Sequence, residues 1–157
     1  MNLLSKKKNI IIKICGWWLV HHPLFVGDTM RISEIIDRVQ QEFPGQEMFT
    51  DNWIINQLSI LDQKIKRDIF DTHDCPLRTT ELDNYNFETD RNTELLVKAP
   101  YDDTLYTDYI LAMCNLELKE DDDYNIRINM YESKEENLWK AVNRLYKFIV
   151  PYKDYRF

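Results

Sequence analysis

From Tyr124 onward the apolar residues Tyr124, Ile128, Tyr131, Leu138, Val142, Leu145 and Ile149 recur at alternating steps of four and three. Only Glu135 interrupts the stripe, and this spacing predicts one long helix with a continuous apolar face. Such a face needs a partner. The segment from Asp102 to Lys119 supplies one, because Leu105, Tyr109, Ala112, Met113 and Leu116 share a helical face and Pro100 stands just before the start. Lys119 through Asp123 is short and polar, which predicts a turn and an antiparallel helical hairpin.

Upstream, Ile32, Ile35, Ile36 and Val39 define a helix ending near Phe43, where Pro44-Gly45 stops it. A second helix opens at Phe49-Thr50-Asp51, with Thr50 or Asp51 as its N-cap, and Ile54, Leu58, Leu61, Ile65 and Ile69 give it a broad core face. Between Asp71 and Lys98 the periodicity fails. Pro76, Asp83-Asn84 and Glu88-Thr89-Asp90 are loop chemistry, and Glu94-Leu95-Leu96-Val97-Lys98 reads as a short strand or extended segment. A loop of that length in a compact domain is often functional. The fold class predicted is mainly α: a small bundle of about four helices with a C-terminal antiparallel hairpin and one long polar loop.

Composition supports helices and narrows the partners. The chain has 157 residues, 44% apolar and 13% aromatic, with only three glycines, enough apolar material for one core and too few turn residues for a β fold. Net charge is −7, unevenly spread: residues 1–29 hold four lysines and one aspartate, a balance of +3, leaving 16 basic against 26 acidic residues in the remainder, −10. A body that acidic does not grip nucleic acid through its phosphates, which takes clustered lysine and arginine. Cys15, Cys75 and Cys114 are odd in number and widely spaced, against a disulfide or zinc framework and in favour of a reducing compartment. Cys114 falls on a helix among core positions.

Residues 1–29 stand apart from this pattern. Lys6-Lys7-Lys8 before Asn9-Ile10-Ile11-Ile12 mimics a signal peptide, but Lys13 breaks the apolar run and no small-residue cleavage site follows before His21-His22-Pro23. The run is also shorter than the roughly 20 residues a membrane span needs. We read 1–29 as an extension outside the domain, disordered or translated from upstream of a start at Met30. An arm docking on a neighbour is one alternative, since Trp17 and Trp18 are costly to expose, and a targeting or membrane element is the other. The domain then runs from 30 to 151, with a loop arm at 71–98 and a C-terminal tail at 152–157.

Two stretches go beyond architecture. Trp53-Ile54-Ile55-Asn56-Gln57-Leu58-Ser59-Ile60-Leu61-Asp62-Gln63-Lys64-Ile65 carries a tryptophan, a following aspartate and a basic-apolar pair. Ala99-Pro100-Tyr101-Asp102-Asp103-Thr104-Leu105-Tyr106, then Tyr124-Asn125 and an aromatic heptad-like tail, completes the pattern. In order and spacing these resemble the small head-tail connector (adaptor) proteins of tailed phages and prophages of low-GC Gram-positive bacteria. Residues 1–29 and the polar middle loop depart from that family's pattern. The resemblance implies a structural virion protein, not an enzyme, without cofactor or metal, in a ring of about twelve copies beneath the portal. It implies contacts with itself, the portal and the next neck (stopper) protein, DNA only as the transiting genome, and no membrane. Its place is then the virion neck, with the host cytoplasm during assembly. The loop and tail residues Asp83, Tyr85, Phe87, Glu88, Tyr152, Tyr155 and Phe157 are the candidate partner interface.

Three other chemistries have candidate residues in this chain. Asp121, Asp123, Asn125, Asn129 and Glu132 occupy oxygen-ligand positions of a calcium loop, but Ile126 stands where the sharp turn requires glycine, so an acidic helix start is favoured. His73-Asp74, with Asp71 and Cys75 nearby, suggests a metal-dependent hydrolase, yet the other histidines, His21 and His22, lie in the extension. The bland reading of His73-Asp74 is a polar helix end. Trp53, Trp139, Tyr106, Tyr109 and Tyr146 lack the interleaved basic residues of a base-stacking surface and read as core, or else as anchors between subunits. An acidic DNA mimic remains the alternative function, and the His73-Asp74 hydrolase the third.

Overall fold

A computed structural model describes residues 29–86 and 88–149. The predicted extension, Phe87 and the 152–157 tail therefore lie outside the described residues, Thr29 apart. Helix α1 (Ile32–Glu42) turns Ile32, Ile35, Ile36 and Val39 inward, as their spacing predicts. It stops at Phe43, and Gly45 then takes a φ of 78°, which glycine adopts without the steric penalty of a Cβ. Helix α2 (Asp51–Ile65) opens on Thr50, whose hydroxyl accepts the Trp53 N–H at 3.2 Å. Of the two candidate caps, Thr50 is the one used.

The predicted core face of α2 is buried through Ile54, Leu58, Leu61 and Ile65. The chain then widens into a π-helical turn at Lys66–Phe70, with Asp71 N–H bonding the Lys66 carbonyl at 2.8 Å. Both Ile69 and Phe70 reach the core from this turn.

Helices α3 (Asp102–Leu118) and α4 (Asp121–Leu145) form the C-terminal hairpin. Its turn is tighter than the sequence suggests. Only Lys119, in a left-handed conformation, and Glu120 lie between the helices, while Asp121, Asp122 and Asp123 form the first turn of α4. Their carboxylates there meet the positive end of the helix dipole. The predicted stripe also overruns the helix: α4 ends at Leu145, and Tyr146 turns extended. Residues 146–149 then lie antiparallel to 72–74, with Ile149 N–H to Thr72 O at 2.7 Å and Asp74 N–H to Lys147 O at 2.9 Å.

The core gathers the inward faces of the four α-helices among the described residues, from Ile32 and Leu58 to Leu105 and Val142. Into it drop Leu95, Leu96 and Val97 from the middle segment. The strand considered for 94–98 reduces to one isolated bridge, Arg31 to Glu94. Its three central residues are all buried rather than alternating, and the backbone beside them, at Met30-Arg31, is too short to build a ladder. Of the 71–98 loop, then, the C-terminal part is core and the stretch around 81–94 is surface.

Candidate functional site

Among the described residues, the most concentrated polar chemistry is a buried carboxylate. Asp62 lies on the inward side of α2 between Leu61 and Ile65 and is fully buried. The Tyr106 hydroxyl, from α3, donates to its Oδ1, while the Tyr85 hydroxyl at 2.6 Å and the Leu96 N–H at 3.1 Å donate to its Oδ2. Tyr106 in turn accepts the Val97 N–H at 2.9 Å, and Ser59, three residues before Asp62, accepts the Tyr85 N–H at 2.9 Å. Burial pushes the Asp62 carboxyl up from the ordinary carboxylate range, against the pull of its three donors. The same burial, with the carboxylate alongside, pushes the Tyr85 and Tyr106 hydroxyls up. These hydrogen bonds join α2, α3 and the middle segment at one buried point.

A second buried polar residue, His73, lies after the π-helical turn and is fully buried, which overturns its reading as a polar helix end. Its Nδ1 lies 2.7 Å from the Ile69 carbonyl and its Nε2 2.7 Å from the Asn143 side-chain amide of α4. A carbonyl only accepts, so Nδ1 carries a proton. Phe148 closes the ring edge-on at 5.1 Å between centroids. Both ring nitrogens, either of which could ligate a metal, are therefore engaged by the fold, and Asp74 beside it is exposed. Among the described residues no group of three histidine, cysteine or acidic side chains is arranged to hold a metal ion. Residues 121–125, weighed as a calcium loop, are helical.

On the surface the two flanks of α4 differ in charge. Where α4 runs past the start of α3, a cleft of about 340 Å³ is lined by Tyr101 and Thr104 on one side and Lys134, Lys140 and Arg144 on the other. Where it runs past the end of α2, a second cleft of about 360 Å³ is lined by Lys64, Asp68, Glu132, Glu135, Glu136 and Trp139. Lys64 is engaged there: its Nζ meets Glu135 at 2.9 Å and the Tyr131 hydroxyl at 3.0 Å. Trp139, read from the sequence as core or as an anchor between subunits, is 44% exposed. The hydrophobic spacing of α4 is satisfied by Leu138 and Val142, so its neighbour at 139 falls outside the buried stripe.

The candidate interface residues divide. Asp83 and Glu88 are exposed, Tyr85 is half-buried with its hydroxyl on Asp62, and Phe87, Tyr152, Tyr155 and Phe157 lie outside the described residues. Both Cys75 and Cys114 are free and buried, as expected for Cys114. The tyrosine pair around Asp62 was not legible as a pair. The available signal was a carboxylate at a core position of an otherwise apolar helical face, which requires buried donors from elsewhere. No described helix is long and apolar enough to cross a membrane. No family model, curated protein or solved structure matches the chain.

Proposed function

We propose that this chain is a structural head-tail connector, a subunit of the ring beneath the portal of a tailed phage or prophage. The observation that supports this reading is the junction of Asp62 with Tyr106. The two stretches that resemble the connector family, 53–65 and 99–106, lie far apart in sequence, yet their ends meet at this one buried hydrogen bond. The subunit is then a rigid wedge, and its work is geometric: a patch on one copy meets a different patch on the next, and the rotation closes the ring. The 71–98 loop, whose surface part lies around 81–94, or the 152–157 tail would also fold onto a neighbour. Carboxylates of an acidic body, turned to the lumen, would repel phosphates and let the genome slide past.

The test is negative-stain microscopy and mass photometry of the full chain, alone and with the portal protein encoded in the same genome. Rings of about twelve copies seated on the portal are expected. A compact monomer or dimer that ignores the portal overturns the reading and favours the acidic DNA mimic.

A further inference from the structure

Helix α4 carries cations on one flank and carboxylates with an exposed tryptophan on the other. At 3.6 residues per turn, Trp139 lies roughly 140° around the helix from both Lys134 and Arg144. These residues line the two separate clefts, one against α3 and one against the end of α2. Most charges near them are already matched: Lys140 pairs with Glu136 at 2.7 Å, Lys64 with Glu135, and Asp68 with Arg67. Three are not. Lys134 and Arg144 on the basic side and Glu132 on the acidic side have no ion-pair partner among the described residues.

We infer that α4 is the self-association element: Trp139 and Glu132 of one copy dock into the cleft formed by Tyr101, Lys134 and Arg144 of the next copy. The occupant is argued from complementarity. A tryptophan is the preferred anchor of protein interfaces, and its ring face attracts the cations that line the opposite cleft. Glu132 lies on the same flank as Trp139, two turns before it, and would face Lys134 or Arg144 of the neighbour. Because the two surfaces are different patches on the two flanks of one helix, the contact is head-to-tail and propagates from copy to copy rather than ending at a dimer. This deepens the connector reading, on which its purpose rests, by naming the patches that close the ring.

The experiment uses two variants of the full chain, each breaking one side: W139A/E132K and K134E/R144E. Glu132, Trp139 and Arg144 are exposed, Lys134 is half-buried, and none contributes to the Asp62 junction. Light scattering and mass photometry of the wild-type chain by itself are expected to show assemblies larger than a dimer at high concentration. Each variant alone is expected to be monomeric with an unchanged far-UV circular dichroism spectrum. An equimolar mixture is expected to give 1:1 dimers and nothing larger, since one intact patch of each kind remains. Should a double substitution unfold the chain, the single changes W139A and R144A serve for the same comparison. Wild-type assemblies that persist in both variants overturn the inferred interface. A wild-type chain that stays monomeric by itself also overturns it, and adding the portal then decides the connector reading separately.

Discussion

The hydroxyl of Tyr106 donates to Oδ1 of Asp62 across 44 positions of sequence, and both side chains are fully buried. The bond ties α2 to α3. Through Val97 and Leu96, whose N–H groups point to Tyr106 and Asp62 respectively, it also ties the middle segment to both. A buried carboxylate is costly unless its lone pairs are met, and here three donors meet them.

Removing the acceptor should cost more than removing one donor. Asp62→Ala strands two tyrosine hydroxyls and a backbone N–H in the interior, with an expected loss of about 3 kcal/mol or more. Tyr106→Phe is expected to cost about 1–3 kcal/mol, because it also removes the acceptor for Val97 N–H. Tyr85→Phe, at a half-buried site, is expected to cost least. Urea unfolding of the three variants checks the order, and a smaller loss for Asp62→Ala than for Tyr85→Phe would refute it.

Stability should fall as pH rises through the titration of Asp62. Its carboxyl is raised in the folded chain by burial. Just above the ordinary value of 3.8 the unfolded chain has therefore released this proton while the folded chain still holds it. The unfolded state binds fewer protons, so the Asp62 contribution is full below 3.8 and is lost as pH climbs through the raised value. In Asp62→Asn this term is absent. The stability gap between wild type and Asp62→Asn, followed by urea unfolding from pH 3 upward, is expected to shift against the wild type as pH rises. A shift in its favour would show that the three donors outweigh burial.

His73→Ala is expected to destabilise the chain by about 2–4 kcal/mol, since it empties a buried site, leaves the Asn143 amide without its partner and leaves the Ile69 carbonyl with the Thr72 hydroxyl alone. Thermal unfolding reads the loss. Metal content by mass spectrometry of wild type and variant is expected to be equally low. Stoichiometric metal in the wild type that vanishes with His73 would restore the hydrolase alternative.

The thiols of Cys75 and Cys114 should resist modification in the native chain. Burial pushes the Cys75 thiol up, and that of Cys114 up to about 12. At pH 8 little thiolate forms at Cys114, and reagent has no access to it. Iodoacetamide labelling followed by peptide mass spectrometry is expected to find Cys114 unlabelled until urea unfolds the protein. Rapid native labelling at Cys114 would place it at the surface.

Much of this fold is written in the spacing of single residues. The inward faces of α1 and α2, the Thr50 cap, the stop at Pro44-Gly45 and the pairing of α3 with α4 follow from local rules that each helix obeys alone. Helix ends were less legible: Asp121–Asp123 fit a polar turn and a helix start equally well, and the stripe continues through Ile149 although the helix does not. Spacing marks which residues are apolar, whereas the last turn is decided by what the chain packs against, here residues 72–74.

What only the tertiary structure decided is the meaning of the polar residues. His73 and Tyr85 look in sequence like reactive or surface groups and Asp62 like a carboxylate misplaced on a core face, and each is consumed by a partner from a distant segment. Trp139, which reads from sequence as core or as an anchor between subunits, stands at the surface in a cleft that local periodicity does not mark. The sequence by itself determined an α-helical bundle, because apolar repeat distances are local and additive. The tertiary structure alone decided which charges are buried and which are left for a partner, because a hydrogen bond across 44 or 70 positions depends on how whole helices are docked.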